Sequence, residues 1–288
     1  MDVRQLQYFL AVVDHGSVHR AARELFVAQP SVSQALRALE RDLGADLFHR
    51  TGRRLVLTPA GEQLIDPARD VLRGMHLARA TVAAVDGLRG GRLIVASMPS
   101  QAVAPLAGMI SRFAARYPDV EVVVRAAATP PEVVEAVRVG AVELGVLGAP
   151  VAPELDGLVV TPLETQRFVL VAASEDDLPA GQPVPPETLR GCRLIVGQPG
   201  TGMRRVADDI VRVAEGSRVA VEVGHREAVL PLVLAGVGVA VLSESWRRLA
   251  LDAGAVVRDL ECAEVLHVCL LHRAGRLSPA ATAFRDDR

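Results

Sequence analysis

Residues 17–44 read SVHRAARELFVAQPSVSQALRALERDLG, the pattern of two short helices joined by a tight turn, with the second helix shaped to be read from outside. On that second helix Val32, Leu36, Leu39 and Leu43 recur at helical spacing and form one stripe to bury. Ser31, Ser33, Gln34, Arg37 and Arg41 fall on the other face. Short hydroxyl and amide side chains near a helix start, with arginines further along, suit hydrogen bonds to base edges and phosphates in a major groove. A solvated amphipathic helix would give the same window, so its neighbours decide. Ala21 and Ala22 permit the close helix approach of a helix-turn-helix, Pro30 suits a first helical turn, and Gly44 supplies a left-handed stop.

Residues 47–58, LFHRTGRRLVLT, read as two short strands around Thr51-Gly52, with Arg50, Arg53 and Arg54 at the tip. A basic hairpin beside a reading helix is a wing, placed to reach a neighbouring minor groove or backbone. On the other side, a helix over 3–14 is expected to bury Leu6, Phe9, Leu10 and Val13, ending at Gly16, with Ser17 capping the next helix.

Over residues 6–62 the sequence resembles the LysR-type transcriptional regulators. The Ala-Ala pair, Gln-Pro-x-x-Ser, Leu-Glu-x-x-Leu-Gly, Leu-Phe-x-Arg and Leu-Thr-x-Ala-Gly stand in family order and spacing. The resemblance implies that Gln29, Pro30, Ser33, Gln34 and Arg53 approach DNA. With the helix and wing reading, the expected DNA set is Gln29, Pro30, Ser31, Ser33, Gln34, Arg37, Arg50, Arg53 and Arg54. Two positions depart from the family pattern. Ala28 stands where a serine is usual, so the reading helix lacks a side-chain cap, at a typical cost of ~1 kcal/mol. Gln34 replaces a frequent arginine and removes a bidentate guanine contact.

All 32 basic residues are arginine, against 34 acidic ones. Residues 1–58 carry 8 arginines against 6 acids and the remainder 24 against 28, so the basic excess at the reading end is small. Sequence reading must then come from placement rather than bulk attraction. Aromatic content of 3% argues against a platform for stacking single-stranded bases. Charges at Asp2 and Arg4 oppose a signal peptide, and no apolar run reaches the ~18 residues that span a bilayer, so a cytoplasmic protein with no membrane partner is expected. Cys192, Cys262 and Cys269 have neither CxxC spacing nor a histidine-rich partner pattern, so no disulfide framework or zinc site is encoded.

After the hairpin, Thr58-Pro59 reads as a cap and first helical turn opening a long helix over 59–88. Leu64, Ala68, Val71, Met75, Ala78, Val82 and Val85 alternate by fours and threes, the seam of a dimerisation coiled coil. Pro67 inside it is expected to kink the helix or restart it at Asp66. Packing on the chain's own domain is the other reading of that seam. Gly87, Gly90 and Gly91 then mark a hinge at about 89–91.

From Arg92 short apolar runs alternate with helical stretches, which implies an α/β region with a parallel sheet covered on both faces. The expected fold is thus an all-α winged helix-turn-helix domain over 1–58 followed by an α/β region over 92–288. By the family resemblance the latter is an effector-binding domain of two Rossmann-like lobes, lobe one 92–163 and 266–288, lobe two 164–265. In such sheets ligands lie beyond the carboxyl ends of strands. The strand-to-helix junctions place Ser97, Ser100, Gln101, Thr129, Gly200, Thr201, Gly202 and His225 as effector contacts. For Ser100, Thr129 and Thr201 plain helix capping is the alternative. Helix N-termini favour negative charge, so the expected effector is a small organic anion, with His225 as cationic partner. An uncharged or aromatic ligand is the competing view.

No GxSxG elbow, P-loop, HExxH or spaced carboxylate pair is visible, so no catalytic residue, cofactor or metal is assigned. A cytoplasmic ligand-binding protein or an α/β enzyme without a DNA role are the other classes; the helix-turn-helix opposes the first and the lack of a nucleophile and base the second. The resemblance implies double-stranded DNA, a small-molecule effector, a second copy of the chain in a homodimer or homotetramer, and RNA polymerase as partners.

Overall fold

The computed structural model describes residues 1–51, 54–84, 88 and 90–287. Arg53, Val85 and Gly87 lie outside the described residues, as do the side chains of Arg50 and Arg54. The chain forms two compact units, Met1–Gly87 and Leu88–Arg288.

In the first unit α1 (Val3–His15) opens on a capping box, in which Asp2 accepts from the Gln5 N–H at 2.8 Å and Gln5 from the Asp2 N–H at 2.7 Å. It ends at Gly16 in the left-handed region. Next come α2 (Val18–Glu24) and α3 (Gln29–Leu43), the latter stopped by left-handed Gly44. Ser17 sits at the cap of α2, but its hydroxyl makes no capping bond. The core holds Leu6, Phe9, Leu10, Val12, Ala21, Ala22, Val32, Leu36 and Leu39. Two expected core positions differ. Val12 rather than Val13 is fully buried, because α1 packs against α2, α3 and α4 together and needs a wide apolar arc. Leu43, the last residue of α3, is 40% exposed where the chain turns away.

The hairpin pairs β1 (Phe48–Thr51) with β2 (Arg54–Leu57) antiparallel, Thr51 opposite Arg54. Glu40 fastens it to α3: its Oε1 accepts the Leu47 N–H at 2.9 Å and the Phe48 N–H at 3.3 Å. Thr58 caps the long helix α4 (Pro59–Ala83), accepting from the Gly61 N–H at 3.0 Å and donating to the Asp46 carbonyl at 2.6 Å. A Cβ on Gly61 would lie 2.2 Å from the Leu47 carbonyl oxygen, so α4 meets the hairpin at a distance only glycine allows. α4 runs through Pro67 without a restart at Asp66. Gln63 and Pro67 are both exposed, so the carbonyl that proline leaves without its usual partner is on the water side. The first half of α4 belongs to the domain core, with Ala68 at 1% exposure and Leu64, Ile65 and Leu72 packed beside it.

The second unit contains two five-stranded sheets. In the first, β3 (Arg92–Ser97), β4 (Glu121–Ala126) and β5 (Leu144–Ala149) are parallel, while β6 (Leu158–Gln166) and β12 (Leu266–Arg273) close the order β4-β3-β5-β12-β6 antiparallel. In the second, β8 (Arg193–Gly197), β9 (Arg218–Val223) and β10 (Val239–Ser243) are parallel, and β7 (Phe168–Ala172) and β11 (Val256–Asp259) antiparallel, in the order β11-β7-β10-β8-β9. Both sheets are therefore mixed, not purely parallel, because the chain changes lobe directly from strand to strand. The crossovers fall at Arg167 and over 260–265, which moves the expected lobe boundary from 164 to 167. β6 is an edge strand the apolar pattern misses, since Pro162 interrupts it beside a register shift in its pairing with β12.

The helices are α5 (Pro99–Gln101), a wide-wound turn over 102–106 that leads into α6 (Ala107–Arg116), α7 (Pro130–Arg138), α8 (Gly202–Val213), α9 (Val229–Leu234), α10 (Arg247–Asp252) and α11 (Pro279–Asp286). The short α11 is held firmly. Ser278 donates to Glu143 at 2.7 Å and caps the helix, and the Phe284 ring meets Phe113 edge-on at 5.2 Å. Gly90 and Gly91, at the expected hinge, both have positive φ.

Replacing Gly61 by alanine should destabilise the first unit by about 1–3 kcal/mol through that clash. Gly74→Ala, at an open position of α4, should stabilise it by about 0.5–1 kcal/mol by favouring the helix. Urea unfolding followed by circular dichroism compares them; the same small effect from both would mean that α4 stands clear of Leu47.

Candidate nucleic-acid interface and effector cleft

On α3 the side chains of Gln29, Pro30, Ser31, Gln34 and Arg37 are exposed and Ser33 is half-buried, while Val32, Leu36 and Leu39 fix the opposite face in the core. Among the described residues none of these polar side chains has a hydrogen bond or ion pair within the chain, so donors and acceptors are presented outward together. Ala28 at the cap position provides no side-chain acceptor, as its residue type implies. In the first turn of α3 Pro30 has no N–H to cap and the Ser31 N–H donates to the Ala28 carbonyl at 3.0 Å. The sequence reading passed over Phe26. It occupies the turn into α3 at φ 53 and is 96% exposed. A left-handed aromatic residue costs about 1–2 kcal/mol, and the only sequence signal was an apolar residue at a turn position.

The α4 seam divides in two. Leu64 and Ala68 are consumed by the chain's own core, correcting their place in the dimerisation set. Val71 is 44% and Val82 74% exposed, Ala78 is exposed and Met75 half-buried, so the free apolar stripe begins at Val71.

Between the two lobes of the second unit lies a cavity of about 20 Å³ lined by Met98, Pro99, Ser100, Gln101, Gly148, Thr201, Gly202, Met203, Arg226 and Leu266. Four of the eight expected contacts, Ser100, Gln101, Thr201 and Gly202, meet there. The other four do not. Ser97 is buried and donates to the Met98 carbonyl at 3.1 Å, and Gly200 faces solvent at φ 90. Thr129 donates to Glu132 at 2.9 Å, and the other Glu132 oxygen accepts the Ala128 N–H at 2.9 Å. An acidic side chain thus already fills the start of α7, where an anion was expected. The His225 side chain is 88% exposed, 3.7 Å from Glu227, and is not part of the cavity lining.

The capping alternative holds for one of the three hydroxyls. Thr201 accepts from the Arg204 N–H at 3.3 Å, whereas Thr129 makes no capping bond and Ser100 is not at a cap. The Ser100 oxygen instead accepts from Trp246 Nε1 at 3.1 Å, joining lobe one to lobe two. Arg226 is the lining residue that sequence reasoning missed. Burial pulls its pKa below the ordinary guanidinium value, and the only partner of its guanidinium among the described residues is Met203 Sδ at 2.9 Å. A Cβ on Gly197 would come within 3.2 Å of its Nη2, so glycine there makes room for it. Gln101 Oε1 is buried without a donor.

Burial pushes the thiols of Cys192, Cys262 and Cys269 up, which keeps them protonated near neutral pH. Among the described residues no group of three or more His, Cys, Asp or Glu is placed to hold a metal ion, and no helix is long and apolar enough to cross a membrane.

The family described as LysR substrate binding domain matches residues 86–287, and that described as bacterial regulatory helix-turn-helix protein, lysR family, matches residues 3–62. The chain is 27% identical to the HTH-type transcriptional regulator ClcR of Pseudomonas putida over 99% of this chain and 97% of that protein. It is 30% identical to the HTH-type transcriptional regulator CfxR of Cupriavidus necator over 99% of this chain and 90% of that protein. Its fold is similar to that of a full-length OxyR variant from Pseudomonas aeruginosa, with TM-score 0.71 and 22% identity over 100% of this chain and 94% of that one. It is similar too to full-length CbnR complexed with its target DNA, with TM-score 0.65 and 23% identity over 100% and 98%. The two matches cover the helix-turn-helix with its hairpin and the two-sheet second unit, and the chain belongs to the LysR family of bacterial helix-turn-helix proteins, DNA-binding transcriptional regulators rather than enzymes.

Proposed function

We propose that this regulator reads an interrupted-palindrome operator as a homodimer or homotetramer in the cytoplasm, and that a small organic anion in the interlobe cleft controls it, with RNA polymerase as a further partner. The observation that carries the DNA reading is the set of unpartnered side chains on α3, Gln29, Ser31, Gln34 and Arg37, fixed in direction by the buried stripe behind them. Base contacts and phosphate contacts have different signatures. Val71, Ala78 and Val82 supply an apolar stripe for a second copy, which would couple two weak half-sites into one tight operator. A ligand acts through such a system only by its difference in affinity between two arrangements of the protein. The cavity of about 20 Å³ is room for one water-sized molecule, so a larger ligand requires a second arrangement of the lobes.

With operator duplex and excess non-specific DNA, Ser33→Ala should reduce discrimination between sites by about 1–3 kcal/mol. Arg37→Ala, as a phosphate contact, should weaken both kinds of binding and lower the salt slope by about 1. An unchanged specificity ratio for Ser33→Ala removes that residue from the base-reading set.

Val71→Asp and Val82→Asp should each shift the chain toward monomer, since burying an unpaired carboxylate between helices costs several kcal/mol. Sedimentation at micromolar concentration reads this. Parent mass in both variants would place the main oligomer contact elsewhere.

A further inference from the structure

Arginines of the Arg226 lobe that lack a carboxylate partner among the described residues, such as Arg190 and Arg218, are exposed to water, whereas Arg226 is half-buried and lines the cleft. Arg204 reaches Asp208 at 2.8 Å and Glu222 at 2.6 Å, Arg247 reaches Glu244 at 2.5 Å, and Arg258 pairs with Glu175. Arg226, half-buried and lining the cleft, meets only the Met203 sulfur among the described residues. A buried guanidinium without a counter-charge weakens the fold, and such a group persists most readily where a ligand supplies the charge.

A second feature comes from the opposite lobe. Gln101, 1% exposed, lines the same cavity with its amide oxygen lacking any donor. Its position depends on Gly148, where a Cβ would lie 2.6 Å from the Gln101 Nε2. Two glycines thus make space, one on each side of the cleft, for a cation and for an unfilled acceptor. Ser100 adds a hydroxyl whose oxygen is engaged by Trp246 and whose proton faces only the Met203 sulfur at 4.0 Å.

We propose that the cleft ligand is a short hydroxycarboxylate, its carboxylate against Arg226 and its hydroxyl donating to Gln101 Oε1. This rests on the reading of the cleft as the effector site and names what it selects. Arg226 supplies the charge preference, because a planar fork of N–H donors fits a carboxylate with two parallel bonds. Gln101 distinguishes a hydroxy acid from the plain acid, since only the former fills the orphan acceptor. Trp246, the single tryptophan of the chain, bonds to Ser100 across the entrance, so a ligand that parts the lobes must change its surroundings.

The test uses the full chain, with Trp246 fluorescence and melting temperature followed during titration with glycolate, acetate and glycolamide. Glycolate should act at concentrations at least 10-fold below the other two. Arg226→Gln should bring glycolate down to the level of glycolamide, while Arg226→Lys should keep part of the difference. Ligand-free Arg226→Gln should melt a few degrees higher than the parent, because the uncompensated charge is gone; a merely structural arginine would give a lower melting temperature. Equal response to glycolate and glycolamide, no response to any of the three, or unchanged glycolate binding in Arg226→Gln would overturn the proposal. Operator binding by the ligand-free parent, measured on the same samples, keeps this separate from DNA reading: a parent that binds operator but does not prefer glycolate overturns only the ligand proposal.

Discussion

The constraint on which the reading end depends is that α3 can bury only one narrow stripe. Val32, Leu36 and Leu39 are the apolar side chains it commits to the core, and Ala21 and Ala22, both fully buried, let α2 come close enough to cover them. Everything else on α3 must then face water. The direction of the polar side chains follows from this packing and needs no interaction of their own. The same helix governs the hairpin, because Glu40, on its inner edge, accepts the N–H groups of Leu47 and Phe48 where the first strand begins. Thr58 and Gly61 then bring the long helix against Leu47. A short run of sequence thus fixes α3, the hairpin and the start of α4 with respect to one another within the first unit.

In the second unit charge is the organising quantity. Several of its arginines, such as Arg204, Arg247 and Arg258, find carboxylates, and a neutral hydrogen bond from Trp246 to Ser100 joins the lobes. Against that background the unpaired guanidinium of Arg226 and the orphan oxygen of Gln101 stand out, because buried polar groups are ordinarily satisfied. A site that is slightly unfavourable when empty has the thermodynamic character of one made to bind. A cavity of about 20 Å³ has room for one water-sized molecule, so the proposed ligand would need the lobes to part.

The sequence made most of the architecture legible, and its failures have physical causes. Alternating apolar runs from Arg92 onward made the α/β region and its parallel strands recognisable, since buried parallel strands are continuous Val, Ile and Leu segments. They missed β6, where exposed and half-buried residues alternate around Pro162, and α10, whose six residues are too few to show a helical period. The seam of α4 was visible as a period, but not which half of it the domain itself uses. That depends on how far α4 runs beside α1. Of the residues expected from the strand-to-helix junctions, Ser100, Gln101, Thr201 and Gly202 line the cavity, while Thr129 and His225 do not. Local sequence shows that a hydroxyl or imidazole is at a junction, not whether Glu132 or solvent claims it. Arg226 escaped notice because an arginine next to a glutamate in sequence reads as a solvated pair. Its isolation is apparent only in three dimensions.

The polar face of α3 is the surface proposed to meet DNA. Hydroxyl-radical footprinting of the full chain, with and without a duplex selected by the protein from a random-sequence pool, measures this at the level of side chains. Phe26 and Arg41 flank the exposed residues Pro30 and Arg37, while Leu36 and Leu39 are buried behind them. The predicted result is strong protection of Pro30 and Arg37 by the duplex, with Leu36 and Leu39 slow to react in both states. Undiminished oxidation of Pro30 and Arg37 in the saturated complex, with protection on another surface, would contradict it.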